Sequence, residues 1–547
     1  MRNQQSEDEI VGNLVTKLSW EMATRNDERV ARAIYKGQEV AGIYGLEETG
    51  LLDGFYEWLE GLGVIKLLKE ISPSGVVRVM VPFFQLVLLY FLKVLFGVEA
   101  VSALPRLLFS NEGAMRLVGF NAHQVKNGVC RRGAYRRKRS KQGPICDDVL
   151  ANNIVKIPLK IIAVFFNRVV RVLARTGIFP KKIKVIIDPT DIQTTRFWGG
   201  CGSVTRKKRI VDKHGEVKEI EITVFGFKLM VVFYAPKKLP LAAKLVRIEE
   251  HGGKYLRELL KQAQANLGNY SEIKEVMMDR EFLDGEELWW LDQRAYYFVV
   301  PARSDMAVTQ DARSLAQRVL KGGVGGYLAE RVIEVRRGYG KEQWVEKVRT
   351  LVVGLEGLTS YDQYGPLGWS KTKNRKDFQA NEINGVVVLE WEGKTMPVDE
   401  QVVYLTNKPV RKPLEVFDDY DERSIIENCL MKESKQGWFI KHAPKKTFQA
   451  LGVHCFFTLM VFALTNAYRD YKRQQEETIA EEELGIKRWR EEQRSEARDK
   501  AIVFVGERYG IFWLAEIMVL SGVRVKDIPA KAGTREEIFL RYKLKPK

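Results

Sequence analysis

The chain has 547 residues, of which 45% are hydrophobic and 29% are charged. This balance excludes a largely disordered protein, and the length predicts about two to four structural units with a sizeable core. Lysine and arginine outnumber aspartate and glutamate by 88 to 70, and the resulting net charge of +18 favours a polyanionic partner. Charge alone leaves nucleic acid and a membrane surface open as that partner.

The cysteines and the apolar stretches narrow the class of protein. Five cysteines are scattered without a CxxC pair, which predicts a reducing compartment and no structural zinc. The N-terminal string MRNQQSEDEI has no apolar core, so no signal peptide is predicted. Two stretches, 79–98 and 447–468, are as long as membrane spans. Polar residues such as Lys93 and Asn466 interrupt them, so both are interpreted as buried helices and no membrane partner is expected.

Residues 1–150 are predicted to form a helical region with a basic arm. Polar and apolar positions recur at helical spacing here, but residues 1–125 show no clear helix-turn-helix signature. Seven of the eleven residues from Arg131 to Lys141 are basic, as in a solvated loop or an arm that grips DNA phosphates. DNA binding by this region is therefore an expectation from position and charge, with these candidate contacts: Arg136, Arg137, Lys138 and Arg139.

From residue 181 onward the pattern changes to strands. The string KKIKVIIDPTDIQT delivers Asp188 directly after an apolar run, and IKEVMMDREF ends a second strand at Asp279. Two strand-like runs (225–236 and 239–250) and a helix (254–267) lie between them, and a short helix and a strand (295–303) follow. This order predicts an α/β, RNase H-like mixed sheet, and open sheets carry their reactive groups at the carboxyl ends of strands.

Two features near Asp188 leave alternatives open. Asp191 is a rival carboxylate, although Pro189 is predicted to break the strand before it. A second basic run is interpreted as a hairpin tip that touches DNA, in preference to a plain loop. This run comprises Arg206, Lys207, Lys208 and Arg209.

Other polar and aromatic residues near the predicted site receive structural interpretations. Glu281 and Asp284 are expected to be turn and helix-cap residues. Trp289 and Trp290 could stack on an extruded base, but their helical spacing favours core packing.

The remaining chain divides into three parts. Residues 315–410 are predicted to be a β-rich insertion, which separates catalytic segments 151–314 and 411–470. Residues 471–547 are predicted to be a helical region for oligomerisation or DNA contact. The string DYDERSIIENCLMKESKQ can form one helix, in which Tyr420, Arg423 and Glu427 share a face.

Asp188, Asp279 and Glu427 suit a metal site for phosphodiester chemistry. Cleavage and transfer of phosphodiesters use two divalent cations about 3.5–4 Å apart. Mg²⁺ prefers hard oxygen ligands, and a few protein carboxylates are sufficient to hold it. Two strand ends and a helix can bring three such carboxylates together.

Three strings of the sequence resemble the conserved blocks of DDE transposases of the insertion-sequence-four (IS-four) type. They are VIIDPTDIQTT, VMMDREFLDGEEL, and YLTNKP followed by YDERSIIENCLMKESKQ, within about residues 180–470. The last string is similar to that family's tyrosine, arginine, glutamate and lysine signature: Tyr420, Arg423 and Glu427 match. Ser434 stands where the family has lysine, and Lys435 follows it.

The resemblance implies a DNA transposase that uses two Mg²⁺ ions, with Mn²⁺ as a substitute. Asp188 and Asp279 would be bridging or terminal ligands, and Glu427 would complete the second ion's shell. Arg423 and Lys435 would contact phosphates near the cleaved bond, and Tyr420 would pack at the same DNA strand. Water would free a 3′ hydroxyl, which would then attack target DNA.

The implied partners are double-stranded DNA, as transposon ends and as target, and a second copy of the chain in a homodimer. A cytoplasmic, nucleoid-associated prokaryotic location is expected. Two other functions stay open at this point: a domesticated DNA-binding relative without transposition, and a nuclease of the same fold. The presence of all three acids favours catalysis.

Overall fold

The computed structural model describes the side chains of most of the chain between residues 50 and 484, in two compact units. These units comprise residues 1–172 with 433–547, and residues 173–432. The described residues are 50–73, 81–120, 124–125, 128–129, 143–211, 217–320, 329–337, 344–352, 379–383, 386–391, 394–395, 403–408, 413–432, 435 and 438–484.

The first unit is helical, and its two most apolar helices are buried. The described helices are Gly50–Gly61, Val64–Glu70, Phe83–Leu95, Leu104–Leu107, Glu112–Val118, Asp147–Ile154, Leu159–Arg175 and Phe448–Leu484. The segment Phe448–Lys472 is long and apolar enough to cross a membrane, but 89% of its apolar window is buried inside the protein. Both apolar stretches of the sequence are thus buried helices, as predicted.

Polar side chains within these buried helices are hydrogen-bonded. The ammonium group of Lys93 donates to the carbonyl oxygens of Val98 (2.7 Å) and Glu99 (3.3 Å). The hydroxyl of Tyr90 lies 2.9 Å from Nδ1 of His454, whose Nε2 lies 2.9 Å from the carbonyl oxygen of Phe439. Buried polar groups are costly unless they find such partners. These contacts explain how polar residues occur in an otherwise apolar core.

The second unit is built on a seven-stranded mixed sheet. Its strands are β1 (Lys182–Thr194), β2 (Gly202–Val211), β3 (Val217–Tyr234), β4 (Leu239–Arg247), β5 (Glu272–Met278), β6 (Tyr297–Pro301) and, beyond the insertion, Tyr404–Thr406. The central order is β6-β5-β1-β3, in which β1, β5 and β6 are parallel and β3 is antiparallel to β1. Both β2 and β4 pair with β3, and Tyr404–Thr406 pairs with β6. This mixed sheet with flanking helices confirms the predicted RNase H-like fold.

Helices pack on the sheet where the sequence predicted them. Leu256–Leu267 buries Leu256, Leu259, Leu260 and Ala263, the apolar face expected from its period. Gly285–Asp292 is capped by the carboxylate of Asp284, which accepts from the backbone N–H groups of Glu286 and Glu287. A further helix, Ala307–Leu320, precedes the insertion.

The described part of the insertion is made of strands. They are β7 (Ala329–Arg337), β8 (Trp344–Val352), β9 (Gln379–Ile383), β10 (Val386–Trp391) and β11 (Lys394–Thr395). They form a two-stranded sheet of β7 and β8 and a three-stranded sheet of β9 to β11. The prediction of a β-rich insertion is therefore confirmed for these residues.

The prediction that Pro189 ends the first strand was wrong. Pro189 does not break β1, which continues to Thr194 with Pro189 opposite Met230 of β3. Proline costs a sheet hydrogen bond only where its missing N–H would face a neighbouring strand. Beyond Ile187 the pairing of β1 with β5 has ended, so one side of β1 has no partner strand there.

The second basic run is not a hairpin tip. Arg206, Lys207, Lys208 and Arg209 lie within β2, where they pair with residues 219–222 of β3. The residues that join these two strands, 212–216, lie outside the described part of the chain. The basic run is therefore part of a long two-stranded ribbon.

Candidate active site

Asp188 and Asp279 emerge side by side from the centre of the sheet. The parallel pairing of β1 and β5 ends at Ile187 and Met278, and each aspartate is the next residue of its strand. Asp188 is 4% exposed, whereas Asp279 is half-buried. The carboxylate of Asp279 accepts from the N–H of Arg280 (2.6 Å), which starts a short helical turn. The strand register thus brings together the two aspartates predicted from the sequence.

Glu427 lies on a helical segment that contacts β1 through an arginine. This segment, residues 413–432, is called the Glu427 helix below; it comprises Pro413–Asp421, Arg423–Ile425 and Ile426–Lys432. Arg423 binds Asp188 through Nη1 (2.5 Å to Oδ1) and Glu427 through Nη2 (2.9 Å to Oε1). One guanidinium group therefore joins the first strand carboxylate to the helix carboxylate.

The charges of the three acids act on one another. Burial raises the pKa of Asp188 to about 7; the charge of Arg423 opposes this rise, and the charges of Asp279 and Glu427 add to it. A nearby carboxylate disfavours a second negative charge over distances of a few ångströms. The effect on Asp188 shows that the three acids form one electrostatic cluster.

Tyr420 packs beside the arginine. It is 7% exposed, its ring centre lies 5.5 Å from Cζ of Arg423, and its ring contacts that of Tyr404 at 4.6 Å. A cation over an aromatic ring is attracted by the electrons of the ring face. Burial lowers the pKa of Arg423, but its interactions with Tyr420 and with the carboxylates of Asp188, Asp279 and Glu427 outweigh this and raise the pKa above its usual value. Arg423 is therefore a fixed cation at this site.

The Glu427 helix changes its geometry at the site. Ile426–Lys432 is a π-helix, whose hydrogen bonds close from residue i to i+5 in place of i+4. Such segments are rare and occur frequently at functional sites. The side chain of Glu427 is 53% exposed, in contrast to the buried Asp188. The helix thus presents its carboxylate at the open side of the cluster.

The neighbouring acids have partners of their own. Asp191 forms an ion pair with Arg206 (2.5 Å), across the base of the β2–β3 ribbon. Glu281 accepts from the ammonium group of Lys228 and from the N–H of Gly252 (2.9 Å), which agrees with its predicted turn role. Asp284 is the helix cap already described, as predicted. Each of the three carboxylates is therefore engaged in a contact outside the cluster of Asp188, Asp279 and Glu427.

The tryptophan pair follows the packing interpretation. Trp290 is buried, and its ring lies 4.6 Å from Cζ of Arg294 and 5.9 Å from Cζ of Arg257. A ring enclosed in this way has no open face for a nucleic-acid base. Trp289, its neighbour, is half-buried.

The predicted DNA contacts fall into three groups. Arg423 lies within the acid cluster, whereas Lys435 is half-buried and belongs to the first unit. Arg206 and Lys207 are exposed on β2, where Lys207 lies 3.5 Å from Glu219, and Lys208 and Arg209 follow on the same strand. The third group lies outside the described residues: Arg136, Arg137, Lys138 and Arg139.

The sequence interpretation missed a set of charged residues beneath the site. Lys184 of β1 and Lys408 both bind Asp419 of the Glu427 helix, each at 2.8 Å. One signal was available for Lys184: it interrupts an apolar strand four residues before Asp188, and strand residues four apart share a face. Lys408 lies in the string YLTNKP that resembles a family block, but nothing in the sequence pairs it with Asp419, because charged residues are common in loops and on helices.

A comparison with known protein families identifies the family of the chain. The chain matches the family described as "Transposase DDE domain" over residues 180–464, which is more than half of its length. None of the curated proteins matches the chain. Among solved structures, the chain is similar to piggyBac transposase in a synaptic complex with hairpin DNA. The likeness covers 85% of this chain and 84% of that one, with 9% identity and a TM-score of 0.31. The match over residues 180–464 shows that the chain belongs to the transposases with a DDE domain, and that it is an enzyme of DNA transposition.

Proposed function

We propose that this transposase cuts and joins DNA with Asp188, Asp279 and Glu427 as its metal-binding carboxylates, in the manner of the IS-four type. One observation carries the assignment. Arg423, which lies 235 residues after Asp188, binds both Asp188 and Glu427, beside the strand end that delivers Asp279. The IS-four type is supported by the three sequence strings and by the β-rich insertion between Asp279 and Glu427.

The residues at the site fit a divalent metal ion. Three carboxylates from two strands and a helix supply hard oxygen ligands, which suit Mg²⁺ and also Mn²⁺. Burial raises the pKa of Asp188, and the negative charges of Asp279 and Glu427 add to that rise while the charge of Arg423 opposes it. Excess negative charge of this kind is relieved by a dication. We therefore assign two Mg²⁺ ions to these three acids, with Mn²⁺ as a substitute.

The roles of the residues follow from their positions. Two divalent cations bound here would activate the attacking oxygen and stabilise the leaving oxygen. Asp188 and Asp279 set the rigid side of the site, because both extend from central strands. Glu427 supplies the open side. Arg423 is held against Tyr420 with its guanidinium at the carboxylates, so its remaining N–H groups are placed to donate to a scissile phosphate.

The proposed reaction has two phosphoryl transfers. Water attacks the phosphorus at the transposon end, the P–O3′ bond breaks, and a 3′ hydroxyl leaves with the proton. That hydroxyl attacks a phosphodiester of target DNA, forms a new P–O3′ bond and releases the target's own 3′ hydroxyl. The number of phosphodiester bonds is conserved in the second step, so it needs no external energy source.

The same reaction defines the partners. We propose that double-stranded DNA binds along the β2 ribbon through Arg206, Lys207, Lys208 and Arg209. The basic arm with Arg136, Arg137, Lys138 and Arg139 would add phosphate contacts. A homodimer would bring two transposon ends together for cleavage. We also propose that the predicted domain limits hold and that the protein has a cytoplasmic, nucleoid-associated prokaryotic location.

Lys435 is proposed to take the role of the family's signature lysine. A π-helical turn accommodates one residue more than an α-helical turn, and Ile426–Lys432 is such a segment. The signature expects lysine at Ser434, one residue before Lys435. The extra residue of the π-helix has the same size as this offset, which supports Lys435 as the phosphate-binding lysine.

The experiment combines full-length protein, Mg²⁺ and DNA that carries the inverted repeats flanking the coding sequence. Joined products indicate transposition, cut products alone indicate a nuclease, and unchanged DNA indicates a binding protein. Asp188→Ala, Asp279→Ala and Glu427→Ala should each abolish cleavage, while DNA binding remains. Asp191→Asn is the matched control, since it removes the rival carboxylate of the same strand. Cleavage that survives the three alanine substitutions, or that is lost only in Asp191→Asn, would show that the site is assigned wrongly.

A further inference from the structure

Asp419 binds two lysines from different parts of the sheet. Its Oδ1 accepts from Nζ of Lys184 at 2.8 Å, and its Oδ2 accepts from Nζ of Lys408 at 2.8 Å. Asp419 directly precedes Tyr420 in the Glu427 helix. Each carboxylate oxygen is thus held from one side, so the side chain cannot turn without breaking a charged hydrogen bond.

Both lysines have a second carboxylate partner. Lys408 lies 3.1 and 3.2 Å from the two oxygens of Glu275 on β5, and Lys184 lies 2.9 Å from Glu422. The Glu275 side chain is 12% exposed and that of Lys408 is 28% exposed. Isolated surface ion pairs contribute little, but a partly buried network fixes geometry more firmly. Five charged groups therefore connect β1, β5 and the Glu427 helix with the chain at residue 408.

The network and the acid cluster are consecutive contacts of the same helix. Asp419, Arg423 and Glu427 are spaced by four residues, as are Lys184 and Asp188 on β1. Residues four apart share a face in a helix and also in a strand. The helix contacts β1 first through Asp419 and Lys184 and then through Arg423 and Asp188. The two contacts therefore lie four residues apart on both the helix and the strand.

The position of Lys408 is itself fixed by its neighbours. Its N–H lies 3.1 Å from the hydroxyl of Thr406, a fully buried residue. The side chain of Asn407 accepts from the N–H of Phe298 (2.9 Å) and donates to the carbonyl oxygen of Tyr296 (3.0 Å). The contacts of Asn407 anchor this part of the chain to the start of β6. Lys408 therefore extends from a rigid edge of the sheet toward the helix.

We propose that Lys408 is a positioning residue, which holds the Glu427 helix through Asp419 at the distance from β1 that the metal-binding carboxylates need. The inference rests on the proposed function, because it takes Asp188 and Glu427 as metal ligands. Lys408 touches neither of them. Residues that orient metal ligands typically change metal affinity by about 10- to 100-fold when they are replaced.

The test is Mn²⁺ binding to the full-length protein without DNA, followed by the EPR signal of free Mn²⁺. Lys408→Met should weaken binding by about 10-fold, and Lys408→Arg should restore most of it by keeping the charge at Asp419. Lys274→Met is the matched control, because Lys274 lies on the same strand as Glu275 and pairs with Glu272 (2.5 Å), away from the helix. Its Mn²⁺ affinity should equal that of the wild type.

Asp419→Asn tests the same ion pair by changing the partner of Lys408. It should weaken Mn²⁺ binding as Lys408→Met does, and the double variant should lose no more than the larger single loss, because both changes break one connection. Circular dichroism at the binding temperature confirms that each variant is folded. A purely structural role would lower the melting temperature but leave the Mn²⁺ affinity of the folded protein unchanged.

The outcomes separate this inference from the proposed function. If Asp188→Asn and Glu427→Gln weaken Mn²⁺ binding but folded Lys408→Met and Asp419→Asn do not, the positioning role is wrong and the metal site stands. If Asp188→Asn and Glu427→Gln leave Mn²⁺ binding unchanged, the proposed metal site itself is wrong. Additive losses in the double variant would show that Lys408 does not act through Asp419.

Discussion

Replacing Asp188 by asparagine should stabilise the metal-free protein at neutral pH. Burial raises the pKa of Asp188 from 3.8 to about 7, so the folded state binds a proton over a pH range in which the unfolded state has released it. The contribution of Asp188 to the free energy of unfolding therefore falls as the pH rises from about 4 to about 7, and this contribution is constant above that range. Asparagine has the same shape and no charge, so the variant lacks this loss.

The size of this stabilisation follows from the rise in the pKa of Asp188. A rise of about 3 pKa units, at about 1.36 kcal/mol per unit, corresponds to about 4 kcal/mol at pH 8. For a folding unit of this size we expect an increase of about 10 °C in the melting temperature. At pH 4 the aspartate is protonated in the folded state and nearly half protonated in the unfolded state, so the two proteins should melt within about 2 °C of each other.

Thermal unfolding followed by circular dichroism between pH 4 and 8, with EDTA present, measures this difference. EDTA removes divalent cations, which would otherwise stabilise the charged form of Asp188 in the wild type. Asp305→Asn, which changes an exposed carboxylate elsewhere in the unit, is the control and should follow the wild type throughout. A difference between Asp188→Asn and the wild type that stays flat with pH, or shrinks toward pH 8, would refute the reasoning.

Three further predictions concern other parts of the molecule. Asn407→Ala should lower the free energy of unfolding by about 1–3 kcal/mol, because it leaves the N–H of Phe298 without its partner; urea unfolding measures this, and an unchanged midpoint would contradict it. Lys435→Ala should reduce cleavage at saturating Mg²⁺ whereas Ser434→Ala should not, and the reverse result would contradict the π-helical offset. Lys207→Ala should weaken DNA binding equally for all sequences and reduce the slope of log affinity against log salt by about 1; an unchanged slope would exclude a phosphate contact there.

The sequence predicted the centre of the sheet well because that part is buried on both faces. Strands β1 and β5 appear as continuous apolar runs that end at Asp188 and Asp279, and parallel strands place such ends side by side. Strand β2 was missed for the opposite reason. Its residues, GSVTRKKRIV, pair only with the outer half of β3 and contain a polar, basic stretch with no apolar run. An exposed ribbon lacks the hydrophobic signal that makes a buried strand recognisable.

The sequence predicted the acids of the candidate site but not the ion pairs that hold the Glu427 helix against the sheet. Tyr420, Arg423 and Glu427 share a helical face by their spacing alone, and the ion pair of Arg423 with Glu427 is consistent with it. The partners of Asp419 could not be read in this way. Lys184 and Lys408 come from distant segments, and the sequence contains 88 lysines and arginines from which to choose. Pairing between distant segments is determined by the tertiary fold, which spacing along one element does not encode.

The ion pair of Arg423 with Asp188 can form only late in the synthesis of the chain. The two residues are 235 positions apart, and chains grow from the N-terminus at about 5–20 residues per second. Roughly 10 to 50 seconds therefore pass between the synthesis of the strand aspartate and that of the helix with Arg423 and Glu427. By the end of this interval the nascent chain carries Asp188 and Asp279 but neither Arg423 nor Glu427. If the three proposed acids form the active site, the capacity to cut DNA arises late in translation, when nearly all of the sheet has already been made.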